Sequence, residues 1–209
     1  MLNDIELKEV EKKVFTSYFN DGIWDIYGGL ILLGFGLTML TGSVYLQLAF
    51  VTVAMVPLLL KRRIVISRLG LVKFSPQRQA KTKKSLVAAM IVLTATALLG
   101  FVFFVLFATD SMPQWLHTWM QNYFLVFFGG MMAVLVAAAA FLVGVKRFYA
   151  YAILIFIAFS IAAMLRMADL EGVPVTVAGG LVLLSGIWIL VRFLRDNPLP
   201  GEETISGRR

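Results

Sequence analysis

The sequence predicts an all-α polytopic membrane protein, a bundle of six transmembrane helices preceded by an amphipathic N-terminal helix. Three observations carry this. Hydrophobic residues make up 60% of the 209 residues, where soluble domains hold ~45–50%. Charged residues make up only 15%, against ~25% in soluble domains. The apolar residues also fall into six blocks, each near the ~20 residues that cross a bilayer core as helix. A soluble globular domain and a disordered chain are both excluded. The alternating ~10-residue segments of a membrane β-barrel are missing, and in hydrocarbon a helix satisfies its own backbone N–H and C=O groups.

The spans follow in order. Residues 21–40 and 43–60 are separated only by Thr41 and Gly42, which predicts a tight hairpin, and Lys61 ends the second. The third span is 85–108 and the fourth 123–145. Lys146 and Arg147 separate the fourth from the fifth, 148–165, because two charges cannot sit inside one long membrane helix. The sixth is 173–191, and residues 193–209 form a cytosolic tail. Ser111 and Pro113 mark a further helix start. Beyond it Trp115, Trp119 and Tyr123 recur at one-turn spacing, the pattern of an interfacial aromatic belt. His117 lies among them and reads as a bystander rather than a pH sensor.

Residues 1–20 read as an interfacial helix. Leu7, Val10, Val14 and Tyr18 form an apolar stripe flanked by Phe15 and Phe19, and Asp4–Lys8 and Glu9–Lys13 are favourable four-apart pairs. Such a helix lies on the inner leaflet or docks on a partner. Its acids, Asp4, Glu6, Glu9 and Glu11, are unlike the basic start of a signal peptide, so the first span is expected to stay in the mature chain.

Charge sets the orientation. With the N-terminus inside, 18 of the 19 Lys and Arg residues fall on the cytosolic side and only Arg166 outside. Short loops rich in Lys and Arg stay in the cytosol. Both termini are therefore expected there, in a cytoplasmic (plasma) membrane protein with an even number of spans.

Residues 61–84 carry nine basic side chains and no acid: Lys61, Arg62, Arg63, Arg68, Lys73, Arg78, Lys81, Lys83 and Lys84. The β-branched Ile64, Val65, Ile66 and Val72 fit two short strands turning around residues 68–70. Ser75 and Pro76 then fit a helix start that continues into the third span. Attraction to anionic lipid headgroups, about 1 kcal/mol per basic residue, is the plain reading. The sharper one is a specific site for an acidic headgroup, a nucleotide or a protein partner. Nucleic acid is not expected as a partner, because only Phe74 stands ready to stack on a base and no known binding motif surrounds it.

The candidate polar site is Asp21 and Asp25, four apart on one helical face, with Trp24 and Tyr27 beside them. The helix dipole favours an acid at the position of Asp21. Asp25 is a turn deeper and needs a partner, expected among Arg62, Arg63 and Arg192, which should end near the same level. The rival reading is a cation or proton site made by the two carboxylates. Arg166, with Asp169 and Glu171 close in sequence, reads as a helix-end pair at the outer surface.

Glycines mark helix packing. Gly28-Gly29, Gly129-Gly130 and Gly179-Gly180 occur in the first, fourth and sixth spans, and each second glycine has a small residue seven later: Gly36, Ala137 and Gly186. Small residues let membrane helices approach closely, so these three spans are expected at the packed centre. Residues 28–33 and 179–184 also look alike. A three-plus-three inverted repeat would instead match the glycine pairs of the first and fourth spans.

Catalytic signatures are missing. Cysteine is absent and histidine occurs once, which leaves no thiolate or multi-histidine metal site, and neither a zinc-protease motif nor a phosphate-binding loop appears. No enzyme activity, metal or cofactor is expected.

Residues 21–29, Asp-Gly-Ile-Trp-Asp-Ile-Tyr-Gly-Gly, and residues 68–74, Arg-Leu-Gly-Leu-Val-Lys-Phe, resemble segments recurring in small multi-pass membrane proteins of prokaryotes, an uncharacterised group. Ser67 stands where that pattern has proline. The resemblance covers the first half of the chain best. It implies a prokaryotic cytoplasmic membrane and no particular activity.

The functional expectation is a non-enzymatic scaffold or accessory subunit that engages anionic lipid, or a membrane-protein partner, through residues 61–84. The span interiors motivate it: Gln47, Thr52, Thr94, Thr96 and Ser160 are the few polar side chains there, whereas coupled transporters place ionisable groups or broken helices near the midplane. The alternative is a small-solute or ion permease or channel, a homo-oligomer with the glycine-rich helices lining its path.

Overall fold

A computed structural model describes residues 19–66, 113–166 and 169–197, together with Val87, Thr94, Leu98, Val102 and Val105. The N-terminal stripe, most of the basic segment, most of the third span and the C-terminal tail beyond Asn197 lie outside the described residues, and residues 193–196, expected in the tail, continue the last helix. The fold is all-α, with no strand among the described residues. The chain divides into two units, residues 1–71 with 125–209, and residues 72–124.

The first unit begins with α1, Ile23–Thr41. Gly42 ends it in the left-handed region (φ 67°), and its N–H donates to the Thr38 carbonyl. A residue with a side chain would be strained there. Thr41 Oγ1 accepts from the Ser43 amide at 3.3 Å, and α2, Val44–Lys61, returns at once. The tight hairpin between the first two spans is present.

The first of the two expected strands is not formed after α2, and Val72, of the second, lies outside the described residues. Arg62–Ile66 continue as a π-helical turn. The physical reason is burial: Val65 is fully buried and packs with Ile23 and Phe193. β-Branched residues carry only a weak preference for strands, and a packing site overrides it.

α3, Gln114–Val143, starts directly after Pro113, whose carbonyl accepts from the Leu116 and His117 amides. The helix is thus longer than the expected span, and Trp115, Trp119 and Tyr123 belong to its first turns. Trp119 and Tyr123 have ring centroids 6.2 Å apart. These turns fall in the second unit, where Val87, Thr94, Leu98, Val102 and Val105 are helical and exposed. In the first unit, α3 ends at Gly144. α4, Arg147–Leu165, and α5, Gly172–Asp196, follow. Five described helices are long and apolar enough to cross a membrane.

The tightest helix pair is α1 with α5, and glycine makes it. Gly22, Gly29 and Gly36 recur every seven residues, as do Gly172, Gly179 and Gly186, and seven residues return to nearly the same helix face. A Cβ on Gly29 would stand 2.5 Å from the Leu183 backbone nitrogen, and one on Gly186 would stand 2.6 Å from that of Ile26. At Gly22 it would meet the Gly186 carbonyl, at Gly36 the backbone of Thr176, at Gly172 the Gly36 carbonyl, and at Gly179 the Leu33 backbone. The helices run antiparallel with their backbones in contact, the close approach that small residues permit in membranes.

The expected packing set is corrected in two places. A Cβ on Gly28 or Gly180 meets nothing within 4 Å. Neighbouring residues point about 100° apart around a helix, so only one glycine of each pair can face its partner. Gly29 is the second of its pair, but Gly129, which lies under Phe159, and Gly179 are the first of theirs. The likeness between residues 28–33 and 179–184 therefore aligns the wrong faces, and so does the proposed match of Gly28-Gly29 with Gly129-Gly130. Gly130 makes ordinary contact with Phe156, and Ala137 is half-buried.

A core of Leu32, Ile155, Ala158, Phe159, Ala162, Val175 and Ala178 joins α1, α4 and α5. α3 contributes Phe128, stacked on Phe35 at 5.2 Å, and both rings pack against Phe159. Outward faces are apolar: Tyr45, Leu59, Phe141 and Trp188 are among the most exposed residues. Water would oppose that surface, whereas lipid tails accept it.

Candidate functional site

The polar end of the bundle is built where four chain segments meet: the residues before α1, the end of α2, the start of α4 and the end of α5. Gly22, in the left-handed region at φ 79°, bends the chain into α1. That bend sets Asp21 and Asp25 on either side of the helix start. Both are buried, at 0% and 1% exposure, a rare state for a carboxylate without a cation beside it.

Each has its cation. Arg147 grips Asp25 through both edges of its fork: Nε donates to Oδ1 at 2.8 Å and Nη2 to Oδ2 at 2.7 Å. Such bidentate pairs are the strong form of the contact. The same guanidinium donates from Nη1 to Asn20 Oδ1 and from Nη2 to the Phe19 carbonyl, both at 2.8 Å. Lys61 Nζ lies 2.7 Å from Asp21 Oδ2. The contact is an ion pair. Asp21 Oδ1 accepts from the Ile23 amide at 3.0 Å, closing the first turn of α1.

Aromatic rings cover the Lys61 ammonium. Its nitrogen stands 5.4 Å from the Phe19 ring centre and 5.5 Å from that of Trp24, within cation–π range. Trp24 also stacks on Phe19 and meets Tyr27 edge-on at 6.0 Å. Of the two expected companions of the carboxylates, Trp24 thus covers the Lys61 contact and Tyr27 packs against Trp24.

The expected partner of Asp25 is corrected. Arg147 makes the bond, rather than Arg62, Arg63 or Arg192. Arg63 is exposed on the π-helical turn, and Arg192 is exposed and pairs with Asp196 at 3.6 Å. One signal pointed to Arg147. A cation at the first position of a helix opposes the dipole, and a broken local rule calls for compensation nearby. The outer pair of Arg166 is Glu171, at 3.9 Å.

One turn beyond Arg147, the Tyr151 hydroxyl and Ser185 Oγ share a hydrogen bond of 2.9 Å. Tyr151 also lies within electrostatic reach of Asp25 and Arg147. The polar line stops there. The next residue on that face of α4 is Ile155, already in the apolar core. Lys61 and Arg147 stand where the rival reading has a cation beside the two carboxylates.

Of the nine basic residues of the 61–84 segment, Lys61, Arg62 and Arg63 lie among the described residues. Lys61 is in the ion pair, and Arg62 and Arg63 follow it on the π-helical turn. Arg68, Lys73, Arg78, Lys81, Lys83 and Lys84 lie outside. No protein-family model matches the chain, and neither a curated protein nor a solved structure is significantly similar to it.

Proposed function

We propose that this chain is a non-enzymatic membrane scaffold or accessory subunit whose working end is its cytosolic one, where residues 61–84 engage anionic lipid headgroups. One observation carries the reading. Asp21 and Asp25, the buried acids at this end, are consumed by Lys61 and Arg147, so they do not neutralise the basic residues that follow Lys61. A segment with nine basic residues and no acid attracts anionic headgroups. The apolar core next to Tyr151 and Ser185 supports the same reading, because coupled transporters place ionisable groups near the midplane.

Six spans with cytosolic termini belong to this proposal. Residues 85–108 are apolar and long enough to add a sixth span to the five described helices. By the basic-residue rule the end that carries Lys61 and Arg147 is cytosolic.

The test uses spin-labelled phosphatidylglycerol and phosphatidylcholine in liposomes carrying the protein. The immobilised fraction of the anionic lipid should exceed that of the zwitterionic one. Replacing Arg78, Lys81, Lys83 and Lys84 with Gln should erase the difference. Equal fractions in the parent protein would refute the reading.

A further inference from the structure

We infer that Arg147 is a strap as well as an ion-pair partner: it fastens the segment preceding α1 to the corner between α3 and α4. The ion pair with Asp25 uses only two of the guanidinium's five N–H groups. Two further hydrogen bonds, to Asn20 Oδ1 and the Phe19 carbonyl, run to residues outside α1 and before the Gly22 bend. Neither is needed to neutralise Asp25. Both cross 127 or more positions of sequence, from the opening residue of α4 to the approach to α1.

The acceptors suit this role. A backbone carbonyl and a side-chain amide oxygen on adjacent residues fix both the position and the direction of the chain at that point. Arginine alone can do this while holding a carboxylate, because its donors form a rigid planar fork, whereas lysine offers a single point charge. The strapped residue Phe19 also lies against Lys61, the last residue of α2. This inference holds whatever the basic segment binds.

The test exploits the absence of cysteine. A spin label on Phe19→Cys, in nanodiscs, is the only thiol-bound probe; it keeps the backbone carbonyl that accepts from Arg147 and reports on the strapped residues. In the parent background the label should be immobilised. Asn20→Ala removes one strap contact and leaves the Asp25 fork intact. It should increase the mobile fraction about tenfold, the equilibrium equivalent of one charge-assisted hydrogen bond, with an unchanged melting temperature. Arg147→Lys should mobilise the label further. A label already mobile in the parent would overturn the strap. So would a label equally immobile in Asn20→Ala, even if Arg147→Lys fails to fold.

Discussion

At the scale of single residues, the fold depends on two carboxylates that could not stay charged and buried alone. Removing one partner of a buried pair costs about 3–5 kcal/mol, whereas replacing both with apolar residues is often neutral. Arg147 keeps 22% of its side chain exposed, so the lower part of that range applies. Asp25→Leu and Arg147→Leu should each destabilise the protein by roughly 3 kcal/mol in detergent unfolding. The double variant should lose less than either single one, and additive losses would contradict the pairing. Much of this was legible in the sequence. An acid one turn inside a span announces a hidden partner. The partner's identity was not legible, because it depends on which helix start lies beside α1. That is a matter of tertiary packing, and membrane depth pointed instead to Arg62, Arg63 and Arg192.

At the scale of elements, glycine spacing is the strongest signal, and its phase is what sequence alone leaves open. The heptad of Gly22, Gly29 and Gly36 and that of Gly172, Gly179 and Gly186 define one face on each helix. Doublets such as Gly28-Gly29 conceal which member faces the partner. Gly29→Ala should cost about 1–3 kcal/mol, since backbone atoms of Leu183 cannot move aside for the new methyl group. Gly28→Ala, into open space, should be neutral or stabilise by up to ~1 kcal/mol. Melting curves of the two variants side by side check this contrast, and equal effects would refute the assigned faces. The same limit explains Ile64, Val65 and Ile66. Their side chains prefer strand geometry, but the apolar site formed by Ile23 and Phe193 rewards a continued helix. Pattern marked both ends of α3, Pro113 as a helix start and Lys146 and Arg147 as the break after it, but the span itself was counted only from Tyr123 because the aromatic turns before it read as an interfacial belt.

At the scale of the whole molecule, composition sufficed to identify a helical membrane protein, and the apolar outer faces of the five described helices agree with it. Orientation is a separate inference, drawn from charge, and it is open to direct measurement because the chain has no thiol of its own. Cysteines placed at Lys146 and at Asp169 should react with an impermeant reagent from opposite sides of the membrane, Lys146→Cys from the cytosolic side. Labelling of both from one side would contradict the topology.

The role assigned to the cytosolic end is tested most directly by extracting the protein with its native lipids into nanodiscs and weighing the intact assembly. The comparison is a variant with Arg78, Lys81, Lys83 and Lys84 neutralised. The expected result is a discrete acidic lipid retained by the parent protein and lost from the variant. A bare homo-oligomer, unchanged by neutralisation, would contradict the scaffold reading and favour a pore.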